Sequence, residues 1–195
     1  MDYKTITAYN ESAAAIAALH TTLVPKRLYQ IVDQFFIKNA SCADIGCGIG
    51  RDTHWLSQKG YEVIGIDAAE GMLQQARAHY PMNQFINDRL PCLTTISDAR
   101  FSNVLCSAVI MHLPAQQISL SIANLLRVMI SCGVIVLSFR GTQAVDHREN
   151  DKLYTPITHE GMIATFATYG ASLLHHESDY EIGREFEWHN LVFKK

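Results

Sequence analysis

The chain has 195 residues, 48% of them hydrophobic, and a formal charge of −3. That length fits one folded unit able to bury about 70% of its unfolded surface, and no apolar stretch approaches the twenty or so residues of a membrane span. Positive residues are scattered, with Lys26-Arg27 and Lys194-Lys195 the only adjacent pairs, so the basic stripe that a phosphate backbone selects is missing and nucleic-acid substrates are disfavoured.

The N-terminus carries Asp2 and Glu11 and no secretory pattern, so the chain is expected in the cytoplasm. Cys42, Cys47, Cys92, Cys106 and Cys132 are odd in number and lack Cys-x-x-Cys pairing. Most sit in or beside apolar runs, which predicts buried thiols rather than disulfides, and no metal site is expected.

Taken in chain order, Glu11 to Leu23 is alanine-rich and helix-prone, and Pro25 to Asn39 places Leu28, Ile31, Val32, Phe35 and Phe36 at helical spacing. A short apolar run then enters Asp44-Ile45-Gly46-Cys47-Gly48-Ile49-Gly50, followed by a helical stretch from Arg51 to Lys59. Tyr61 to Ile66 reads as a strand ending in Asp67, and Ala68 to Tyr80 as a helix. Gln84 to Ile86 is the end of a third strand, before Asn87-Asp88-Arg89-Leu90-Pro91. Ser102 to Ile110 is a fourth, running into Met111-His112-Leu113-Pro114, and Ala115 to Met129 is helical. Gly133 to Phe139 is the fifth strand. Beyond it, Arg140 to Thr155 is polar and irregular, Thr158 to Tyr169 helical, and Ala171 to Glu177 and Phe186 to Phe193 strand-like. Such alternation predicts a mainly parallel, doubly wound α/β sheet with helices on both faces.

The glycine turn decides which ligand to expect. A dinucleotide fingerprint needs a glycine at the position of Arg51, counting six from Gly46. Here Asp44-x-Gly46-x-Gly48-x-Gly50 instead places a carboxylate at the strand end, which repels a pyrophosphate and suits a ligand bearing an ammonium and a sulfonium. Asp67 has two readings: a ligand acceptor at a strand's carboxyl end, or the N-cap of the next helix.

The series of glycine turn, acidic ends of the second and third strands and apolar fourth strand resembles class I S-adenosylmethionine-dependent methyltransferases of the generic bacterial small-molecule type. The resemblance is strong from Ser41 to Phe139 and weaker beyond, where Asp179-Tyr180-Glu181-Ile182-Gly183-Arg184 and Trp188 also resemble such enzymes. It implies a Rossmann-like seven-stranded sheet with an antiparallel C-terminal strand. It further implies S-adenosyl-L-methionine as cofactor, with Asp44, Gly46, Cys47, Gly48 and Gly50 at the methionine end, Asp67 on the ribose and Asp88 on the adenine. Ala68, Met72, Arg89, Leu90 and Ser107 complete the expected lining.

Residues 1–39 are expected to form a helical lid, 40–139 the cofactor-binding core, and 140–195 the substrate-side loop, helix and strand hairpin of a single domain. Tyr9, His112, Arg140 and Arg148 are the substrate-side candidates, with His147 beside them. His112 is the one candidate general base, because an imidazole titrates near neutral pH; set against that, a histidine placed before Leu113-Pro114 at a helix start is commonly structural. The absence of an Asn/Asp-Pro-Pro motif after the fourth strand argues against amino-methylating nucleic-acid enzymes. Pro91-Cys92 follows the third strand, the wrong element for a cytosine-C5 nucleophile. The expected activity is in-line methyl transfer to a small molecule. The alternatives are a non-catalytic domain binding S-adenosylmethionine or S-adenosylhomocysteine and a nicotinamide-dependent oxidoreductase.

Overall fold

A computed structural model of the chain describes residues 2–141, 147–180 and 187–195. Five strands follow the glycine-turn logic: β1 (Ser41–Ile45), β2 (Glu62–Asp67), β3 (Gln84–Asn87), β4 (Phe101–Ser107) and β5 (Met129–Gly141). A short hairpin, β6 (His147–Glu149) and β7 (Lys152–Tyr154), comes next, and β8 (Ser172–Tyr180) and β9 (Glu187–Lys194) close the chain. The main sheet has the order β3-β2-β1-β4-β5-β9-β8, parallel from β3 to β5 and antiparallel where β9 enters between β5 and β8. The expected seven-stranded sheet with one antiparallel strand is therefore present. The resemblance at 181–184 lies outside the described residues.

Alternation along the central strands builds two cores. Val104, Cys106, Ile135, Leu137, Leu191 and Phe193 point to one face, where α6 (Ala115–Arg127) and α7 (His159–Thr168) cover them. Cys42, Leu105, Val134, Val136 and Val192 point to the other, under α3 (Lys26–Phe35) and α4 (Arg51–Gln58). Burial on both faces explains why these strands read as near-continuous apolar runs.

The N-terminal segment departs from expectation. It forms two helices, α1 (Tyr3–Glu11) and α2 (Ala13–His20), broken at Ser12. The first starts earlier than Glu11 because the Asp2 carboxylate accepts from the Thr5 N–H and caps it. Ala13 and Ala17 of α2 pack with Ile49, Ala69 and Met72, the last two flanking the start of α5 (Glu70–His79).

Residues 147–154 are not irregular either. Asn150 and Asp151 both take left-handed φ, +49° and +62°, and join β6 to β7 by a two-residue turn suited to those side chains. The fourth strand stops at Ser107, and Ile110–His112 forms a 3-10 turn. Of the cysteines, Cys42, Cys47 and Cys106 are buried as expected, while Cys92 and Cys132 are exposed.

Candidate functional site

The carboxyl ends of β1, β2, β3 and β4 surround a cavity of about 1040 Å³ including its open mouth, the place where open α/β sheets bind ligands. Its floor is the glycine turn. Gly46 and Gly50 have φ of +74° and +79°, and a Cβ on either would lie 2.1 Å from Val109 Cγ2 or 2.6 Å from the Phe85 ring. Only glycine lets the backbone follow this path.

Asp67 stands beside that turn. Its Oδ2 accepts from the Gly48 N–H and its Oδ1 from the Ala69 N–H, both at 2.8 Å. Burial raises its pKa, and the Ala69 and Gly48 amides pull it back. The helix cap is Ala69 rather than Asp67. Each carboxylate oxygen keeps acceptor capacity toward the cavity.

Asp88, after β3, holds the following loop. Its oxygens accept from the Arg89 and Thr95 amides, both at 2.7 Å, and from the Thr95 hydroxyl at 2.6 Å. Burial would raise its pKa, but the Thr95 hydroxyl and the Thr95 and Arg89 amides outweigh it, so the carboxyl lies below its usual range.

Asp44 sits elsewhere than expected. It is fully buried behind the turn, receives a 2.6 Å hydrogen bond from the Thr53 hydroxyl, and does not line the cavity. Burial, reinforced by the neighbouring Asp52 charge, pushes its pKa up to about 7. Gly50 is likewise outside the lining, whereas Gly46, Cys47, Gly48, Asp67, Ala68, Met72, Asp88, Arg89, Leu90 and Ser107 face the cavity.

A charged pair that sequence reasoning missed also faces it. Arg51 and Asp52, in the first turn of α4, form a two-pronged ion pair at 2.8 and 2.9 Å, and Tyr29 donates to Asp52 at 2.7 Å. The signal was available: a charged dipeptide opening the helix after a glycine turn faces the same ligand as the turn.

The mouth is crossed by α1. Thr5, Ile6 and Tyr9 line the cavity with His112, and Leu113 lies beside them. The phenol of Tyr9 lies 3.1 Å from His112 Nε2, and His112 Nδ1 lies 2.6 Å from the Leu153 carbonyl oxygen. A carbonyl only accepts, so Nδ1 carries the proton and the phenol donates to Nε2. Burial lowers the His112 pKa and raises that of Tyr9, keeping both neutral. Asn10 accepts from the Gly71 N–H at 2.8 Å, tying α1 to α5.

Two substrate-side candidates are not in the cavity. Arg140 is buried, ion-paired to Glu149 at 2.7 Å and set 4.4 Å over the Tyr154 ring. Arg148 grips Asp2 at 2.7 and 2.9 Å, fastening the hairpin to the start of α1. His147 bonds Glu149 at 3.0 Å.

Residues 42–133 match the methyltransferase domain family. A ubiquinone biosynthesis O-methyltransferase of Coxiella burnetii is 30% identical over 97 residues, covering 48% of this chain and 41% of that protein. The chain thus matches about two fifths of the length of such curated relatives. Among solved structures, an S-adenosylmethionine-dependent methyltransferase of Methanosarcina mazei superposes with TM-score 0.75 at 16% identity, covering 89% of this chain and 98% of the other. The Burkholderia thailandensis 1,6-didemethyltoxoflavin-N1-methyltransferase, solved with S-adenosylhomocysteine bound, gives TM-score 0.66 at 16% identity, covering 95% and 77%. The domain match falls on the glycine turn and the strands around it, so this part of the chain is similar to methyltransferase domains, and the chain shares the Rossmann-like fold of the solved S-adenosylmethionine-dependent methyltransferases.

Proposed function

We propose that the protein transfers a methyl group from S-adenosyl-L-methionine to a small-molecule acceptor held under α1. The observation that carries this is the convergence on one cavity of a turn only glycine can make, two strand-end carboxylates, and a neutral tyrosine-histidine pair.

The residues fit the cofactor family. When bound, S-adenosylmethionine supplies a methyl carbon on a sulfonium, an already activated leaving group. In our reading Asp67 accepts from the ribose hydroxyls and Asp88 from the adenine amino group, each with acceptor capacity left beyond its own loop bonds. The methionine end is read by the Arg51 guanidinium and the Asp52 carboxylate, which match an α-carboxylate and an α-ammonium, in place of Asp44. Gly46 and Gly48 let the ligand lie against the backbone.

The acceptor side is mostly apolar, with Ile6, Leu90, Leu93, Val109 and Leu113 around the Tyr9 and His112 polar heads. That lining suits a compact, largely apolar acceptor with one polar group directed at His112. Orientation of two bound reactants contributes about 7–11 kcal/mol to such reactions. His112 then takes the acceptor's proton at Nε2, the nitrogen that holds its lone pair. The rest of residues 1–39 serves as a lid, and 40–139 as the cofactor core.

Thermal shift with S-adenosylmethionine, S-adenosylhomocysteine, NAD and NADP tests the cofactor. At a hundredfold excess over Kd, stabilisation of about 5–10 °C by the two sulfur ligands alone is expected; a shift with a nicotinamide ligand instead overturns the reading. Incubation with methyl-labelled cofactor and metabolite extracts tests transfer, and a protein that binds the cofactor and labels nothing is a sensor rather than an enzyme.

A further inference from the structure

Away from the cavity, three histidines meet on the opposite flank of the sheet. On β9, alternation sets Phe193, Leu191 and His189 toward α7, where Phe193 stacks on Phe166 at 4.0 Å between ring centroids. His189 thus occupies a position where the pattern leads one to expect a hydrocarbon, and it is only 4% exposed. On β8, His176 is its diagonal neighbour, since His176 pairs with Leu191 and Ser178 with His189. His159, the first residue of α7, comes down over both. The centroids of its ring lie 4.4 Å from that of His176 and 4.9 Å from that of His189.

One ring nitrogen from each of the three lies within 4.8 Å of the others. His176 Nε2 and His189 Nδ1 are buried without a hydrogen-bond partner, a state that costs free energy unless something else satisfies them. Glu160 lies 3.0 Å from His159 Nε2, and Glu187 lies 3.8 Å from His189 Nε2. A carboxylate on the far nitrogen is how metal-binding imidazoles are oriented, and it leaves the other nitrogen to face the ion. A backbone without a Cβ at Gly141 makes room, since a Cβ there would lie 2.6 Å from His189 Nε2.

We propose that His159, His176 and His189 bind one divalent zinc ion that fastens the first turn of α7 to the β8–β9 pair. Three imidazoles are a zinc-type donor set with a fourth position left for water or a carboxylate. Tetrahedral bonds of about 2.0–2.1 Å place ligand nitrogens roughly 3.4 Å apart, so the rings close by about an ångström through side-chain rotation. None of the three lines the cavity, so this site stands independently of the methyl-transfer reading.

The test uses tag-free, chelator-stripped full-length protein titrated with Zn²⁺ by calorimetry, with Mg²⁺ as the control. One equivalent of Zn²⁺ and no Mg²⁺ is expected to bind, and excess Zn²⁺ raises Tm by about 5–10 °C. Each of H159A, H176A and H189A lowers the affinity by at least roughly 10–100-fold, the loss produced even by removal of an outer-shell partner, while His79→Ala leaves it unchanged. His159→Gln, at the half-exposed helix start, keeps the test valid if replacement of the buried His189 disturbs folding, with circular dichroism as the check. Co²⁺ in place of Zn²⁺ gives the visible absorption of a four-coordinate ion. Absence of Zn²⁺ binding, or binding that survives in the three variants, overturns the proposal.

Discussion

Tyr9 on α1 and His112 beyond β4 are joined across the cavity by a hydrogen bond of 3.1 Å, with the phenol donating to a ring whose other nitrogen is fixed on the Leu153 carbonyl. On the proposed reading, the acceptor's polar group competes with the Tyr9 hydroxyl for the same Nε2 lone pair. If that lone pair takes the substrate proton, His112→Gln lowers kcat by about 10²–10⁴-fold, the usual worth of a general base, and leaves S-adenosylhomocysteine binding intact. Tyr9→Phe frees the lone pair and raises the pKa read from the acid limb of the kcat profile, because the neutral ring loses a hydrogen bond that favoured it. A His112→Gln enzyme with wild-type kcat assigns the ring to structure alone.

Asp67 holds its own glycine turn and, on the proposed reading, the ribose hydroxyls. Asp67→Ala is expected to weaken S-adenosylmethionine by at least about tenfold for each charge-assisted bond lost, at about 1.5–3 kcal/mol apiece. It also lowers the Tm of the ligand-free protein, since the Gly48 and Ala69 amides lose their acceptor. Isothermal titration and thermal unfolding read the two effects separately. Unchanged affinity in a folded variant removes Asp67 from the cofactor site.

With the methionine end proposed to lie on Arg51 and Asp52, Asp44→Asn is expected to leave cofactor affinity unchanged while Arg51→Gln weakens it; the reverse result restores Asp44 to the site.

Asp44 instead has a signature in stability. An unfolded aspartate titrates near 3.9 and the folded one near 7, so between those values the native state holds a proton that the unfolded chain has lost. Its contribution is full below about pH 4, declines as pH rises toward 7 and is flat above, an effect of at most about 4 kcal/mol. The Tm advantage of Asp44→Asn over wild type therefore widens between pH 4.5 and 7.5. Parallel curves contradict the buried-acid account.

Gly46→Ala combines two penalties. A left-handed non-glycine residue costs about 1–2 kcal/mol, and the added methyl drives into Val109 Cγ2, an overpacking worth about 1–3 kcal/mol. Val109→Ala added to it recovers the steric part and leaves the conformational part, so the double variant melts between Gly46→Ala and wild type. A Gly46→Ala protein with wild-type Tm sinks the argument.

The sheet was legible because each central strand is buried on both faces and so carries an unbroken apolar run, as from Val134 to Leu137. The hairpin at 147–154 was not, because His147, Arg148 and Glu149 are polar, and besides the His147–Glu149 bond their partners are Arg140 and Asp2, on other elements. Arg140 and Arg148 looked like free cations for the same reason. Asp44 was misplaced through its partner: the acceptor role of its carboxylate is settled by Thr53, one turn into the next helix. Asp67 at the end of β2 and Asp88 just after β3 could be placed at the cavity from sequence because the carboxyl ends of the strands are where an open α/β sheet binds ligands. Nothing comparable marked His159, His176 and His189, which the β8–β9 register and the packing of α7 against it bring together.

The alanines of α2 carry a last consequence, for turnover. Ala13 and Ala17 seat the two N-terminal helices on Ile49, Ala69 and Met72, and each methyl contributes under about 1 kcal/mol of burial. On the proposed reading the pair lifts together, helices intact, once the bonds of Asp2 to Arg148 and of Asn10 to Gly71 part, while β1 and β4 stay between their two cores. In hydrogen exchange the amides of α1 and α2 open faster than those of β4, and saturating S-adenosylhomocysteine slows the helices selectively.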